Sequence, residues 1–267
     1  MKINKYSSAL VVGLLSASTM TYAAPNNDCK ALPTHSELTE ALTDAISVTN
    51  GGLDFDMWAT VVNRYGAVCA VVKAVNAATG NTEADPWPGS RVISAQKANT
   101  ANSFSSRQVS WSSASLYGVS QPGGSLFGLQ ESNPVDPRAA YRGNAKHNGE
   151  KNDPMNGLKV GGVNVFGGGL ALYNAAGDVI GALGVSGDTS CADHNVAYRT
   201  RMKLDQHAGT PTTDGFINLE KINYDKANES QTIGDAMTNG FTHPLCGFDE
   251  KAVGEKEDLG SVWVPES

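Results

Sequence analysis

Charged and aromatic side chains are scarce in this chain of 267 residues. Only 18% of the residues are Asp, Glu, Lys or Arg and 7% are aromatic, whereas glycine occurs 29 times. The low charge argues against a disordered chain, and the abundant glycine argues against a helical bundle. The composition therefore predicts a compact, turn-rich protein with one large domain, or with one core domain and extensions.

Apolar runs long enough to span a bilayer are also lacking. A short run at residues 9–15 follows Lys2 and Lys5 and precedes Thr21-Tyr22-Ala23. This order predicts a cleavable signal peptide over residues 1–23, and hence a secreted or periplasmic protein; the alternative is a buried N-terminal helix. Cleavage would lower the Lys+Arg count from 20 to 18 against 27 Asp+Glu, so the formal charge would change from -7 to -9. Such acidity argues against nucleic acid and anionic membranes as partners.

The cysteine pattern excludes two classes of site, because no C-x-x-C occurs and neither a thioredoxin-like motif nor a zinc knuckle is supported. Four cysteines in an exported chain favour disulfides, and three pairings are possible. We favour Cys29–Cys69, which would tie the N-terminus to the core, and Cys191–Cys246, which would hold the C-terminal tail. The alternative for Cys69 is a free, buried thiol in an apolar strand.

Three helices are predicted. Thr34 and Glu37 form a capping box, and the apolar residues that follow at i, i+3, i+4, i+7 and i+8 lie on one helical face that ends near Gly51. A second helix is predicted over 90–104. A third is capped by Asp188 or Thr189 and runs to about residue 204.

Five short strands are predicted, over 57–62, 67–75, 163–166, 170–174 and 179–186. The last strand is apolar on both faces and is expected to be central, with glycines that permit very close packing. Between these elements, residues 105–160 form a long polar excursion without periodicity, which is typical of a functional loop or an insertion. The chain is thus expected to form an α+β layered domain with a mostly antiparallel, five-stranded sheet.

Several segments resemble the GlcG/HbpS family of haem-binding or haem-degrading proteins. They are Gly161-Gly162-Val163, Gly168-Gly169-Leu170-Ala171-Leu172, the apolar segment 177–187, Ala192-Asp193 with Val196-Ala197, and Lys97-Ala98-Asn99-Thr100-Ala101 with Phe104. The C-terminal half matches by motif, and the N-terminal half matches more by the order of its elements.

The resemblance implies a profilin-like α/β/α fold over residues 24–205, homo-oligomerisation and, for an exported member, haem binding outside the cytoplasm. Asn63 stands where the family usually has aspartate. The excursion at 105–160 and the extension at 206–267 lie outside the common core, so they can rebuild whatever pocket the core offers.

Haem needs an apolar slot, an axial ligand and partners for its propionates. His35, at the start of the first helix, is the first candidate ligand by resemblance; the alternative is a solvated residue at a helix start. His194, Tyr198 and Arg201 share a helical face that could present a ligand, a ring and a cation; the alternative is the polar side of an amphipathic helix.

Further haem and metal candidates lie elsewhere. Arg91, Lys97 and Arg107 could pair with propionates, as could the hydroxyls of 103–115, although surface solvation is the alternative for all of them. A Cys191–Cys246 bond would bring His243 towards His194, so His35, His194 and His243 are candidate metal ligands.

The remaining histidines, Asp193 and the glycines are expected to have no direct part in binding. We expect His147 and His207 to be exposed and Asp193 to have a structural role near the dipole of its helix. The glycines of 161–187 are explained by turns and close packing, because no phosphate loop or dinucleotide fingerprint is present.

The sequence therefore predicts an exported, oligomeric protein that captures, buffers or senses haem or a related tetrapyrrole. Two alternatives remain open at this point. One is an enzyme that degrades haem or processes a small molecule, and the other is a structural accessory oligomer. Fold alone does not choose among them.

Overall fold

A four-stranded antiparallel sheet forms the centre of the domain. The computed structural model describes residues 28–74, 87–206, 219–224, 240–256 and 261–263. The strands of the sheet run in the order β2-β1-β4-β3, and β4 and β1 are central. Their bounds are β1 Met57–Asn63, β2 Val68–Ala74, β3 Gly169–Tyr173 and β4 Val179–Ser186. The predicted signal peptide lies outside the described residues.

Helices cover both faces of this sheet, so the domain has three layers. Helices α1 (His35–Ile46) and α5 (Ser190–Lys203) pack together on one face, and α2 (Ser90–Phe104) covers the other. One hydrophobic cluster lies under α1 and α5, and a second lies between the sheet and α2. The predicted α+β class is confirmed. Among the described helices, none has the length and hydropathy that a membrane span requires.

Local sequence signals define where two of the helices begin. The capping box forms as predicted, with Thr34 accepting from the backbone of Glu37 and Glu37 accepting from the backbone of Thr34. Thr189 caps α5 by accepting from the Ala192 N–H. The first helix ends at Ile46, earlier than the predicted stop near Gly51.

The prediction of five strands in the sheet is wrong, because residues 163–166 do not join it. The Val163 N–H donates to the Asn133 carbonyl, and the Asn164 N–H donates to the Thr100 hydroxyl. Side chains and loop backbone thus take the hydrogen bonds that a neighbouring strand would need. The segment instead runs across the end of α2.

The excursion and the C-terminal extension add short elements around this core. The described elements are two 3-10 helices, Ala114–Leu116 and Ala145–His147, with α3 Tyr117–Ser120, α4 Pro137–Ala140 and α6 Glu250–Lys256. A separate parallel pair joins β5 Ile222–Tyr224 to β6 Ser261–Trp263.

Both disulfides connect the pairs that the sequence favoured. Cys29 is bonded to Cys69 in β2, and Cys191 in α5 is bonded to Cys246 in the C-terminal extension. The alternative of a free Cys69 thiol is therefore wrong. The first bond attaches the segment before α1 to the sheet, and the second attaches the extension to α5.

Close packing of α2 on the central strand depends on Gly184. A Cβ atom at this position would collide with the backbone carbonyl of Ser94 in α2, which confirms the predicted reason for glycine in this strand. We expect Gly184→Ala to lower the free energy of unfolding by about 1–3 kcal/mol, because α2 must move away. Urea denaturation would measure it. Gly89→Ala is the matched control, since a Cβ there meets nothing within 4 Å; equal effects of the two variants would contradict the packing explanation.

Candidate functional site

The residues predicted to form one haem site lie in three separate places. His35 lies at the start of α1 beside the excursion. Arg91 is buried between α2 and the excursion. A third group, which we call the α5 cluster, is buried around α5 and comprises the haem candidates Lys97, His194, Tyr198 and Arg201 together with Asp193 and with His243 of the C-terminal extension.

The predicted shared face of α5 is present in the α5 cluster. The ring centroids of His194 and Tyr198 lie 5.3 Å apart, and the Arg201 guanidinium lies 4.8 Å from the centroid of the Tyr198 ring. Arg201 also forms a buried ion pair with Glu220 of the extension. All three side chains are buried, so the alternative of a solvated polar side is wrong.

His194 has a defined tautomer within this stack. The Gly168 N–H donates to Nδ1 over 3.4 Å, which places the ring proton on Nε2. Nε2 is buried and has no partner among the described residues. Burial lowers the pKa of His194 to about 3, helped by the charges of His243, Arg201 and Lys97. The ring is therefore neutral at pH 7, and its lone pair is already used.

Lys97 and Asp193 form a buried ion pair that connects α2 to α5. The Lys97 ammonium lies 2.6 Å from the Asp193 carboxylate and also donates to the Val185 carbonyl over 3.1 Å. The carboxylate accepts two more hydrogen bonds, from the Gly187 and Asp188 N–H groups at 3.0 and 2.9 Å. This geometry gives Asp193 a structural role.

Burial shifts the pKa values of both partners of this pair. It raises the pKa of Asp193 to about 6, against the opposing effect of the Lys97 charge. It also lowers the pKa of Lys97, against the opposing effect of Asp193. The pair therefore carries a desolvation cost that its mutual contact and the hydrogen bonds to Val185, Gly187 and Asp188 offset.

Arg91 and Arg107 are both engaged in ion pairs. The Arg91 guanidinium makes two contacts with the Asp153 carboxylate, one of them 2.8 Å long, and it donates to the Ala140 carbonyl over 3.0 Å. Arg107 is exposed and pairs with Asp178. Arg91 thus fastens the excursion to α2, and Arg107 stays at the surface.

His35 is half-buried and has one ring nitrogen engaged. Nε2 donates to the Gly149 carbonyl over 2.9 Å, which leaves the lone pair on Nδ1. Metal-ligating histidines usually donate their second ring N–H to a backbone carbonyl or a carboxylate in this manner. Of the histidines His35 and His194, only His35 has this arrangement.

A cleft of about 450 Å³ lies at the same end of α1. Apolar side chains and two lysines line it together with polar groups; the residues are Lys30, Ala31, Leu32, Pro33, Thr34, Glu37, Glu40, Ala41, Lys203, Leu204 and Gln206. His35 follows Thr34 directly but is not itself among the lining residues. The Cys29–Cys69 disulfide anchors the wall that residues 30–34 form.

His243 lies against the Cys191–Cys246 disulfide. Nδ1 donates to the Pro244 carbonyl over 2.7 Å, and Nε2 lies 3.2 Å from the Ser190 hydroxyl. Burial lowers the pKa of His243 to about 4. Its contacts with Ser190 and Cys191 place its ring beside the first turn of α5, which also carries His194.

The remaining histidines lie away from these groups. His147 is half-buried in the excursion, where Nδ1 lies 3.1 Å from the Asn152 amide, so the expectation of simple exposure is wrong. His207 lies outside the described residues.

The sequence did not reveal the ion-pair partners Asp153 and Glu220 or the cleft lysines Lys30 and Lys203. Asp153 is 62 residues from Arg91 in sequence and Glu220 is 19 from Arg201, and no local pattern marks either pair. For the lysines the only available signal is their position beside the ends of α1 and α5.

The fold and these sites define a three-layered α+β protein with a cleft at one end of its first helix, which two lysines and two glutamates line together with apolar side chains. A family model described as "Haem degrading protein HbpS-like" matches residues 34–200, which is more than half of the chain. The chain therefore belongs to the HbpS-like family.

Two solved structures are similar to the described domain. The complex of PduOC with heme has 23% sequence identity and a TM-score of 0.43, and covers 64% of this chain and 94% of that chain. The Klebsiella pneumoniae protein ORFY has 22% identity and a TM-score of 0.42, and covers 65% of this chain and 90% of that chain. A search of curated proteins gave no match.

Proposed function

We propose that this protein binds haem or a related tetrapyrrole at the start of α1, with His35 as the axial ligand. The observation that carries the proposal is the hydrogen bond from Nε2 of His35 to the Gly149 carbonyl. This hydrogen bond fixes the orientation of the ring and leaves the Nδ1 lone pair for iron. Metal-bound histidines are usually oriented by such a hydrogen bond from their second ring nitrogen. Membership of the HbpS-like family supports haem as the bound molecule.

The chemistry of the neighbouring cleft fits haem. Leu32, Pro33 and Leu204 offer apolar surface to a porphyrin, and Lys30 offers positive charge to a propionate. Lys203 would have to exchange its half-exposed ion pair with Asp44 for a propionate. Bound haem would supply the redox or gas-binding chemistry of its iron. The residues of this chain would hold and orient it.

The earlier candidates in the α5 cluster, namely Lys97, His194, Tyr198 and Arg201, and the separate Arg91 stay predictions as haem contacts. Each cation among them is already in a buried ion pair, and the lone pair of His194 is used by Gly168. A haem in contact with Arg201 would have to displace Glu220 of the extension, and a haem in contact with Arg91 would have to displace Asp153 of the excursion. For this reason we place His35 first.

Hemin titration of the purified protein tests the proposal. We expect a saturable Soret shift near one equivalent, and we expect His35→Ala to bind about tenfold or more weakly because the axial bond is lost. His147→Ala is the matched control, since the described hydrogen bond of that ring is with the excursion residue Asn152. Absence of a saturable shift would refute haem binding, and loss in His194→Ala but not in His35→Ala would move the ligand to the α5 cluster.

Export from the cytoplasm forms part of the same proposal. Two disulfides link the described residues, and such bonds persist in oxidising compartments. The sequence pattern of residues 1–23 supports cleavage near Ala23. Detection of the mature N-terminus outside the cytoplasm would test export. The molecular mass of the protein in solution would test the expected homo-oligomer. We also propose that the three layers form a profilin-like fold.

Haem degradation is the second candidate function, because the description of the matching family model names it. Incubation of the haem-loaded protein with a reductant and oxygen separates the two functions. Loss of the Soret band with release of an open-chain product would identify an enzyme. Retained haem would identify a carrier or sensor.

A further inference from the structure

The three potential ligands Cys191, His243 and Cys246 form a compact group that the haem proposal does not use. Their ligand atoms lie within 4.8 Å of one another. Sγ of Cys191 lies 3.8 Å from Nδ1 of His243, so the imidazole ring lies directly against the sulfur atoms. In the oxidised protein the two sulfur atoms are bonded to each other, so this group cannot hold a metal.

His243 has the orientation of a metal ligand. Its Nδ1–H donates to the Pro244 carbonyl, which is the outer contact that fixes many ligating histidines and leaves Nε2 free to bind. The atom facing Nε2 is the Ser190 hydroxyl at 3.2 Å, and this hydroxyl lies 3.5 Å from Sγ of Cys246. Ser190 thus lies between two of the three ligands, where it or a water molecule could complete the coordination.

The positions of these ligands do not depend on the disulfide alone. The buried carboxylate of Glu250 accepts hydrogen bonds from the N–H groups of Cys246, Gly247 and Phe248, at 2.6, 3.2 and 2.8 Å. The His243 N–H donates to the Asn223 carbonyl over 2.8 Å. These backbone contacts do not involve the sulfur–sulfur bond.

Cys246 is also placed to be a stable thiolate. The Cys191 N–H, in the first turn of α5, donates to its sulfur over 3.2 Å, and the Ser190 hydroxyl is the second potential donor. Backbone donors at a helix N-terminus favour the charged form of a sulfur atom. The Cys29–Cys69 sulfurs have no such helix donor among the described contacts.

We propose that reduction of the Cys191–Cys246 disulfide creates a zinc site formed by Cys191, Cys246 and His243. A dithiol reduces the bond: the sulfur–sulfur bond breaks, two electrons and two protons pass to the cysteines, and the dithiol becomes a disulfide. Zinc then forms two bonds to sulfur and one to nitrogen, and the two thiol protons are released to solvent. A three-ligand site with an open fourth position is typical of exchangeable or catalytic zinc.

Anaerobic metal titration tests this site. The full chain is reduced with a dithiol, freed of reductant and titrated with Zn²⁺, or with Co²⁺ as the spectroscopic probe, while near-UV circular dichroism monitors the fold. We expect one equivalent to bind to the reduced protein and none to the oxidised protein. Cobalt should show thiolate charge-transfer bands and the intense visible bands of a tetrahedral ion.

Variants identify the ligands and exclude binding to an unfolded chain. We expect Cys191→Ser/Cys246→Ser to abolish stoichiometric binding, and His243→Gln to weaken it about tenfold or more, since even outer partners of metal ligands cost about 10- to 100-fold. Cys29→Ser/Cys69→Ser is the matched control and should bind as the wild type does. Equal binding in the oxidised protein, unchanged binding in Cys191→Ser/Cys246→Ser, or unchanged binding in His243→Gln would overturn the proposal. Its outcome is independent of the hemin titration, which uses the oxidised protein.

Discussion

Asp193→Asn is expected to lower the free energy of unfolding by about 3–5 kcal/mol, because it leaves the Lys97 ammonium buried without a counter-charge. Both side chains are almost fully buried; the pair links α2 directly to α5, and the Lys97 ammonium also donates to the Val185 carbonyl in β4. The substitution retains the shape of the side chain, so the loss measures charge more than packing. Chemical denaturation at pH 7, followed by circular dichroism, gives the value.

The exposed pair of Arg107 and Asp178 supplies the matched control for this experiment. We expect Asp178→Asn to change the free energy of unfolding by less than about 1 kcal/mol, because water already solvates both charges. Lys97→Met combined with Asp193→Asn should cost less than the sum of the two single substitutions, since neither charge is then left alone. Similar small losses for Asp193→Asn and Asp178→Asn would contradict the structural role of the buried pair.

Mild acid is expected to destabilise the protein through His194. The pKa of its ring is about 3 in the folded protein, whereas an unfolded histidine titrates near 6.5. The unfolded chain therefore takes up a proton first as the pH falls. The stabilisation is fully present above about pH 6.5 and is lost progressively towards pH 3, by about 2 kcal/mol between pH 7 and pH 5.

Neighbouring groups add to this effect and oppose it. His243, with a pKa of about 4, loses stabilisation in the same direction. Asp193, with a pKa of about 6, acts in the opposite sense, because its folded form takes up a proton before the unfolded form does. Arg201 and Lys97 remain the facing cations that disfavour a second positive charge on His194.

Comparison with His194→Gln isolates the contribution of His194. The pH dependence of the free energy of unfolding should be flatter in the variant, by up to one proton between pH 6.5 and pH 4. Denaturation curves at half-unit pH intervals would show the difference in slope, whatever the stability of the variant at pH 7. Parallel curves for the two proteins would contradict a neutral, buried His194.

Much of the fold could be predicted because its signals are local. The capping box of α1 needs only two side chains within one turn, and the apolar face follows within the next two turns. The helix Ser90–Phe104 and the central strand Val179–Ser186 form over the predicted residues, since helical and strand periodicities are visible in a short window. The prediction of a sheet strand at 163–166 was wrong because a short window shows only its apolar residues, which suit a strand. Its hydrogen-bond partners are distant in sequence and leave it outside the sheet.

The candidate site was less predictable. Helical spacing correctly placed His194, Tyr198 and Arg201 on one face, but it did not show that the extension buries that face. The partners Asp153 and Glu220, the donor Gly168 and the acceptor Gly149 all come from other elements. Which nitrogen of each histidine carries a lone pair depends on those contacts.

The sequence by itself determined the order of the main helices and the central position of Val179–Ser186, because these depend on local periodicity. It favoured the cysteine pairing that the structure shows but left three pairings possible. It also contained the motifs by which the chain belongs to the HbpS-like family. Only the tertiary structure decided which cations form buried ion pairs. It also decided that the Nδ1 lone pair of His35 is available to a metal, whereas the Nδ1 lone pair of His194 accepts a hydrogen bond from Gly168. Those outcomes depend on burial and on contacts between residues far apart in the chain, which no local pattern specifies.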